Sequence, residues 1–122
     1  MKLLARGLVW VCQALLALMF LGAGVRKFTA PTWALMFARW GYPDHFYLVI
    51  GVLEVTGAVA LLIPRTAAPA ALMLIVIMIG AGFTHALHAE MHRVPQVLVM
   101  MALLGVDAYA RWTDMIGRKI RA

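Results

Sequence analysis

The sequence predicts an all-α integral membrane protein, a four-helix bundle with a short interfacial helix between its first and second spans. Three observations lead there. Of 122 residues, 65% are hydrophobic and only 13% charged, with a mean hydropathy of +0.91, whereas soluble domains are roughly half apolar. The apolar residues collect into four runs, each near the roughly 20 residues that a helix needs to cross a bilayer. None of the runs alternates as barrel strands do, so helices, which satisfy their own backbone groups, are the expected spanning form. The length suits a single domain over residues 1–122, without a soluble companion.

The first run, GLVWVCQALLALMFLGAGV, covers about residues 7–25 and meets Arg26 and Lys27 at its end. Lys2 and Arg6 give it the basic flank of a signal peptide, but its length and the lack of an A-x-A site favour an uncleaved span. After it, Trp33, Met36, Phe37 and Trp40 recur three or four apart, the spacing of one helix face. Pro31 suits a first helical turn and Gly41-Tyr42-Pro43 a stop, which predicts a short helix lying in the membrane interface with its tryptophans at headgroup level. A loop packed over the bundle mouth is the competing expectation. The second span is expected over residues 45–63, ending before Pro64-Arg65, the third over 67–86, and the fourth over 94–110, before the charged tail RWTDMIGRKIRA.

The net charge of +6 does not point to nucleic acid, because the basic residues sit at segment ends rather than in an aromatic-interleaved stripe. They order the topology instead. Lys2, Arg6, Arg65, Arg111, Arg118, Lys119 and Arg121 fall on one side, against Arg26, Lys27, Arg39 and Arg93 on the other, so both termini are expected in the cytoplasm. Cys12 is the sole cysteine, which excludes an intramolecular disulfide.

Glu54 interrupts the second run. It lies nine residues beyond His45, about 13 Å along a helix, where insertion of an ionisable group costs about 2.5–3.5 kcal/mol. It must therefore face the bundle and find a partner or stay protonated. Gly51 and Ala58 share its face and Gly57 lies near, leaving room for a neighbouring helix. Lys27 is the partner of opposite sign, but with straight helices it stands several ångströms too high. Two roles compete: a structural contact that locks the bundle, and a carboxylate that handles protons or orients a ligand.

The segment HALHAEMH puts His85, His88 and His92 at i, i+3 and i+7, within one helical face, and His45 falls at the same end of the bundle. Such a row suits ordinary interfacial histidines, contact with a quinone or other polar headgroup, or a metal. It does not complete a tetrahedral metal site, and haem ligation would need an opposed histidine, which only His45 could supply, so neither metal nor haem is expected. Asp107 and Arg111 have the i, i+4 spacing of a same-face ion pair at the other end, with Gln13 at a similar depth. Nine methionines form no Met-x-x-Met array and read as packing residues.

These residues resemble the DoxX family of small bacterial four-span membrane proteins. The resemblance runs from Arg6 to about His85, through GVRKF at 24–28, GYP at 41–43, LEVTGAVALLIPR at 53–65 and TH at 84–85. A double glycine often follows the family's glutamate, and here its second position is Ala58. What the resemblance implies is a multi-pass bundle in the bacterial inner membrane, some relatives being associated with sulfur oxidation, quinone-linked electron transfer or oxidative-stress complexes. The expected role is an accessory or structural subunit of a redox or respiratory complex, with other membrane subunits and the lipid bilayer as partners. The alternative is a quinone-linked oxidoreductase subunit using Lys27 and Glu54. Transport of a small molecule or ion is a third reading, for which the intramembrane polar groups are few. The resemblance carries over no reaction and no catalytic residue.

Overall fold

The computed structural model describes residues 3–121 and the side chains of residues 3–117. Lys2 and the side chains of Arg118, Lys119 and Arg121, four of the charges used above to orient the chain, lie outside the described residues. The chain is all-α: α1 (Leu3–Thr29), α2 (Pro31–Arg39), α3 (Phe46–Leu61), α4 (Ala67–Leu87) and α5 (Val94–Arg121), with a short 3-10 turn, Met91–Arg93, ahead of α5.

Proline and glycine set the first boundaries. Ala30, which precedes Pro31, is extended (φ −103°, ψ 114°), as the proline ring demands of the residue before it. So α1 runs past the expected end at residue 25 and carries Arg26 and Lys27 in its last turn. α2 then starts on the proline and ends in a Schellman turn: Gly41 takes φ 86°, its N–H donates to Ala38 O, and the Tyr42 N–H donates to Phe37 O. At the end of α4, Ala89 adopts φ 58°, and the chain turns into the 3-10 segment.

α1 packs against α3 and α4 against α5; contacts between α3 and α4 and between α1 and α5 close the ring, while α2 lies against α1 and α3 at one end. Leu16, Phe20, Leu61, Leu74 and Leu104 are fully buried at the centre. The distribution of polarity is inverted relative to a soluble protein. Gln13, Lys27, Glu54, His85, Asp107 and Arg111 are buried, whereas Leu8, Leu18, Val76, Phe83, Leu98 and Val106 are exposed. That is the arrangement hydrocarbon requires, because apolar side chains are at ease in lipid and ionisable ones are not.

Among the described residues, three segments are long and apolar enough to cross a membrane: Leu3–Thr29, Ala67–Leu87 and Met91–Gly117. The second expected span, 45–63, is shorter than anticipated. α3 holds 16 residues, about 24 Å at 1.5 Å per residue, because His45 has left the helix with φ 65° and the chain turns after Leu61.

Candidate functional site

The candidate site begins with two glycines. A Cβ on Gly24 of α1 would stand 2.9 Å from Gly51 O and 2.7 Å from Val55 Cγ2, and one on Gly51 of α3 would stand 3.1 Å from Lys27 Cβ. The absence of side chains lets the two backbones nearly touch. Lys27 and Glu54 each follow one of these glycines by three residues, so the crossing brings both side chains into the bundle. Lys27 is level with Gly51 and bends down about 4.5 Å, three residues of helical rise, to reach Glu54. Its Nζ stands 2.6 Å from Glu54 Oε1, and the two residues are 6% and 2% exposed. No donor aligned for a hydrogen bond reaches Oε1, so the contact is a charge pair. On its other side the ammonium lies 4.3 Å from the centre of the Trp33 ring, a cation–π contact.

Both residues face a cavity of about 580 Å³ between the α2 halves of the helices. Met19, Ile50, Leu53, Met78 and Met100 supply apolar walls, and Trp33, Phe37, Trp40, Tyr42 and Phe46 the aromatic roof. Phe37 centres this roof, with ring centroids 5.2 Å from Trp40 and 5.3 Å from Tyr42. The cavity is blind. Its walls reach Met19 on α1, Glu54 on α3, Val76 on α4 and Met100 on α5; beyond them Leu16, Leu61, Leu74 and Leu104 fill the axis completely. Ligand pockets are commonly about 300–1,000 Å³, apolar, with a few polar groups fixing orientation. The arrangement can hold a ring or short amphiphile and present it with an ammonium and a carboxylate.

The roof is fastened to the α4 end. Glu90 accepts from Trp40 Nε1 at 3.3 Å and lies 2.8 Å from His85 Nδ1, while the Tyr42 and Thr84 hydroxyls are 2.5 Å apart. The hydrogen bond with His85 chiefly holds the Glu90 carboxyl below the usual range, partial desolvation opposing it and Trp40 and Arg93 assisting.

The histidine row does not form. α4 ends at Leu87 and the left-handed Ala89 redirects the chain, so His92 falls in the 3-10 turn, exposed and off the His85 face. His88 is exposed, with Nδ1 2.8 Å from Thr84 O, and His45 is exposed ahead of α3. His85 alone of the four lines the cavity. Among the described residues no three His, Cys, Asp or Glu side chains gather as metal ligands.

At the far end, Asp107 and Arg111 are near enough for the charges to act on one another, but among the described residues no ion-pair contact of 4.0 Å or less joins them. Arg111 Nε donates to Gln13 Oε1 at 2.7 Å, and its Nη1 lies 3.7 Å from Asp114 Oδ2. Gln13 Nε2 donates to Leu61 O. Asp107 is fully buried, with neither carboxylate oxygen hydrogen-bonded. Spacing permitted the pair, but the guanidinium turns its Nε to Gln13, and its Nη2 and both Asp107 oxygens are left buried without a hydrogen-bond partner.

Sequence reading missed the cavity and the roof fastening. Glu90 was the available signal, an acid within HALHAEMH, but its two partners come from different segments. No curated protein and no solved structure matches the chain. A family profile described as DoxX-like matches residues 11–107. That stretch includes the glycine crossing, the Lys27–Glu54 pair and the whole cavity wall, and by it this membrane protein belongs to the DoxX-like family.

Proposed function

We propose that this protein is a four-span subunit of the bacterial inner membrane, both termini cytoplasmic, that works beside a redox or respiratory partner by holding a quinone-type ring in its cavity. The carrying observation is a buried ion pair turned toward an apolar, aromatic-roofed chamber. A structural pair alone would be enclosed by packing. A quinone carbonyl would accept from Lys27 Nζ, and Glu54, its Oε1 without an aligned donor, would take or give the proton that the ring oxygen exchanges. Trp33 and Phe37 offer faces for stacking. The chain holds and orients the ring; electrons come from the partner subunit, and no catalysis is assigned to the chain alone. The blind end of the cavity favours binding over passage across the membrane.

Tryptophan quenching by 2-methyl-1,4-naphthoquinone tests this reading. Glu54→Gln and Lys27→Met proteins that retain their helical circular dichroism should bind at least about tenfold more weakly, a loss of about 1.4 kcal/mol. Unchanged affinity in both would refute it. The accessory role predicts that mild detergent releases the protein from its native membrane in a larger assembly, and an invariably free chain would count against it.

A further inference from the structure

The charges around the cavity do not balance. Lys27 is matched by Glu54, but Arg26 and Arg93 also line the wall, and no other acid does. Arg26 is exposed, and no ion pair of 4.0 Å or less engages it among the described residues. The nearest acid to Arg93 is Glu90, 4.0 Å from its Nε and already engaged by His85 and Trp40. The wall therefore carries one arginine with no acid in contact, Arg26, and a second, Arg93, that shares Glu90 with His85 and Trp40.

Their position indicates a route. α1 and α5 touch at the Arg111 end, through Cys12 with Leu103 O, Gln13 with Arg111, and the Arg111 guanidinium 4.7 Å from the Trp10 ring centre. Toward α2 the facing residues line the cavity instead. Met19, Ala23 and Arg26 follow one another at helical spacing on α1, and Gln96, Val97 and Met100 continue the stripe on α5 after Arg93. The α1 stripe is apolar up to its arginine, the α5 stripe is apolar apart from Gln96 beside its own, and both arginines stand at the α2 end. Met19, Arg26 and Gln96 are exposed although they line the cavity, as Val76 and Gly80 are on α4, so the chamber can be reached from the side, and the side between α1 and α5 is the one flanked by arginines. The α3–α4 side offers Ile50, Leu53, Val76 and Ile77 and no cation.

We propose that the cavity selects an anionic amphiphile, an apolar body bearing an ionised enol, carboxylate or phosphate. It enters from the bilayer between α1 and α5, and Arg26 and Arg93 hold its head. This rests on the ligand-binding reading above and names the charge of the ligand. Arginine suits the task because its fork of donors meets a planar or tetrahedral oxyanion with two parallel hydrogen bonds.

The test compares two naphthoquinones of one ring size on the full-length protein in phosphatidylcholine nanodiscs: 2-hydroxy-1,4-naphthoquinone, ionised at pH 7, and the neutral 2-methyl compound. Tryptophan quenching should show the anion binding at least about tenfold tighter, with the preference shrinking in high salt as screened charge requires. Arg26→Gln/Arg93→Gln should erase the preference, the anion losing more affinity than the neutral ring, while Arg26→Lys/Arg93→Lys should keep most of it. Equal binding of the two rings, or a preference that survives the glutamine pair, overturns the inference and leaves the quinone reading standing. Quenching by neither ring overturns both. Adding phosphatidylglycerol separates the sources of the head: competition with the anion in the wild type but not in the glutamine pair assigns the site to a lipid phosphate, and no competition assigns it to a free acidic ring.

Discussion

At the scale of single residues, Lys27 and Glu54 dominate both the energetics and the chemistry. Each is buried, so removing one leaves the other as an unmatched charge, whereas replacing both with apolar groups removes the desolvation cost together with the attraction. Glu54→Ala should therefore destabilise the bundle by about 3–5 kcal/mol, and Lys27→Met/Glu54→Leu should be neutral or more stable by about 1–4 kcal/mol. Unfolding in mixed micelles reads the difference; a single variant as stable as the wild type would mean that the pair does not hold the bundle. The importance of Glu54 was legible in the sequence because a charge amid 16 helical residues of high hydropathy stands out. Its geometry was less so. The depth gap to Lys27 closes only because two glycines bring the backbones together and the lysine bends, which spacing along one chain does not reveal. Asp107 and Arg111 show the reverse: an i, i+4 spacing that invites a pair, while the guanidinium turns its Nε to Gln13 on another helix and makes no direct contact with Asp107.

Among the elements, the α1–α3 crossing and the fastening of α2 set the shape of the cavity. A methyl group on Gly24 would meet backbone atoms, Gly51 O at 2.9 Å and Val55 N at 3.1 Å, which yield only if the helices separate. Gly24→Ala should cost about 1–3 kcal/mol, as overpacking does, and lengthen the Lys27–Glu54 contact. Gly80→Ala, where nothing lies within 4 Å of the added atom, should leave thermal unfolding in detergent unchanged; equal effects at the two sites would contradict the close crossing. The fastening of α2 depends on pH through Glu90. Its carboxyl sits below the usual range in the folded chain, chiefly through the hydrogen bond with His85. The stabilisation is therefore complete above the ordinary glutamate value of about 4.3 and lost as pH falls through the lower folded value. Tryptophan emission should shift in that acid window as Trp40 is released, and Glu90→Gln should abolish the shift. The existence of α2 was readable from Pro31 and the aromatic spacing, and its stop from Gly41. What it fastens to was not, because Glu90 and Thr84 lie more than 40 positions along the chain from Trp40 and Tyr42.

For the whole molecule, the deciding element is α3. Its length of about 24 Å falls short of the roughly 30 Å of hydrocarbon, yet both its ends are prepared for a place inside the membrane. Thr66 Oγ1 donates to Ala60 O at 2.8 Å and Gln13 Nε2 donates to Leu61 O. Those carbonyls belong to the last turn, where the helix has no further N–H to donate to them; satisfied from inside the protein, they do not need water, so the helix can stop within the bilayer. At the other end, the aromatic layer of α2 lies over its first turn and supplies the missing height. The four-span arrangement proposed above requires α3 to cross as the fourth span, which would put the turn around residues 62–66 on the cytoplasmic side and Ala89 on the opposite side with α2. Single cysteines introduced after Cys12→Ser discriminate the arrangements. In intact cells a membrane-impermeant maleimide should label Ala89→Cys and leave Thr66→Cys unmodified until the cells are opened. Were α3 to lie on the surface without crossing, α2 and the 62–66 turn would share the outer side and α4 would carry Ala89 to the inner one, so the reagent would label Thr66→Cys in intact cells and reach Ala89→Cys only once the cells are opened.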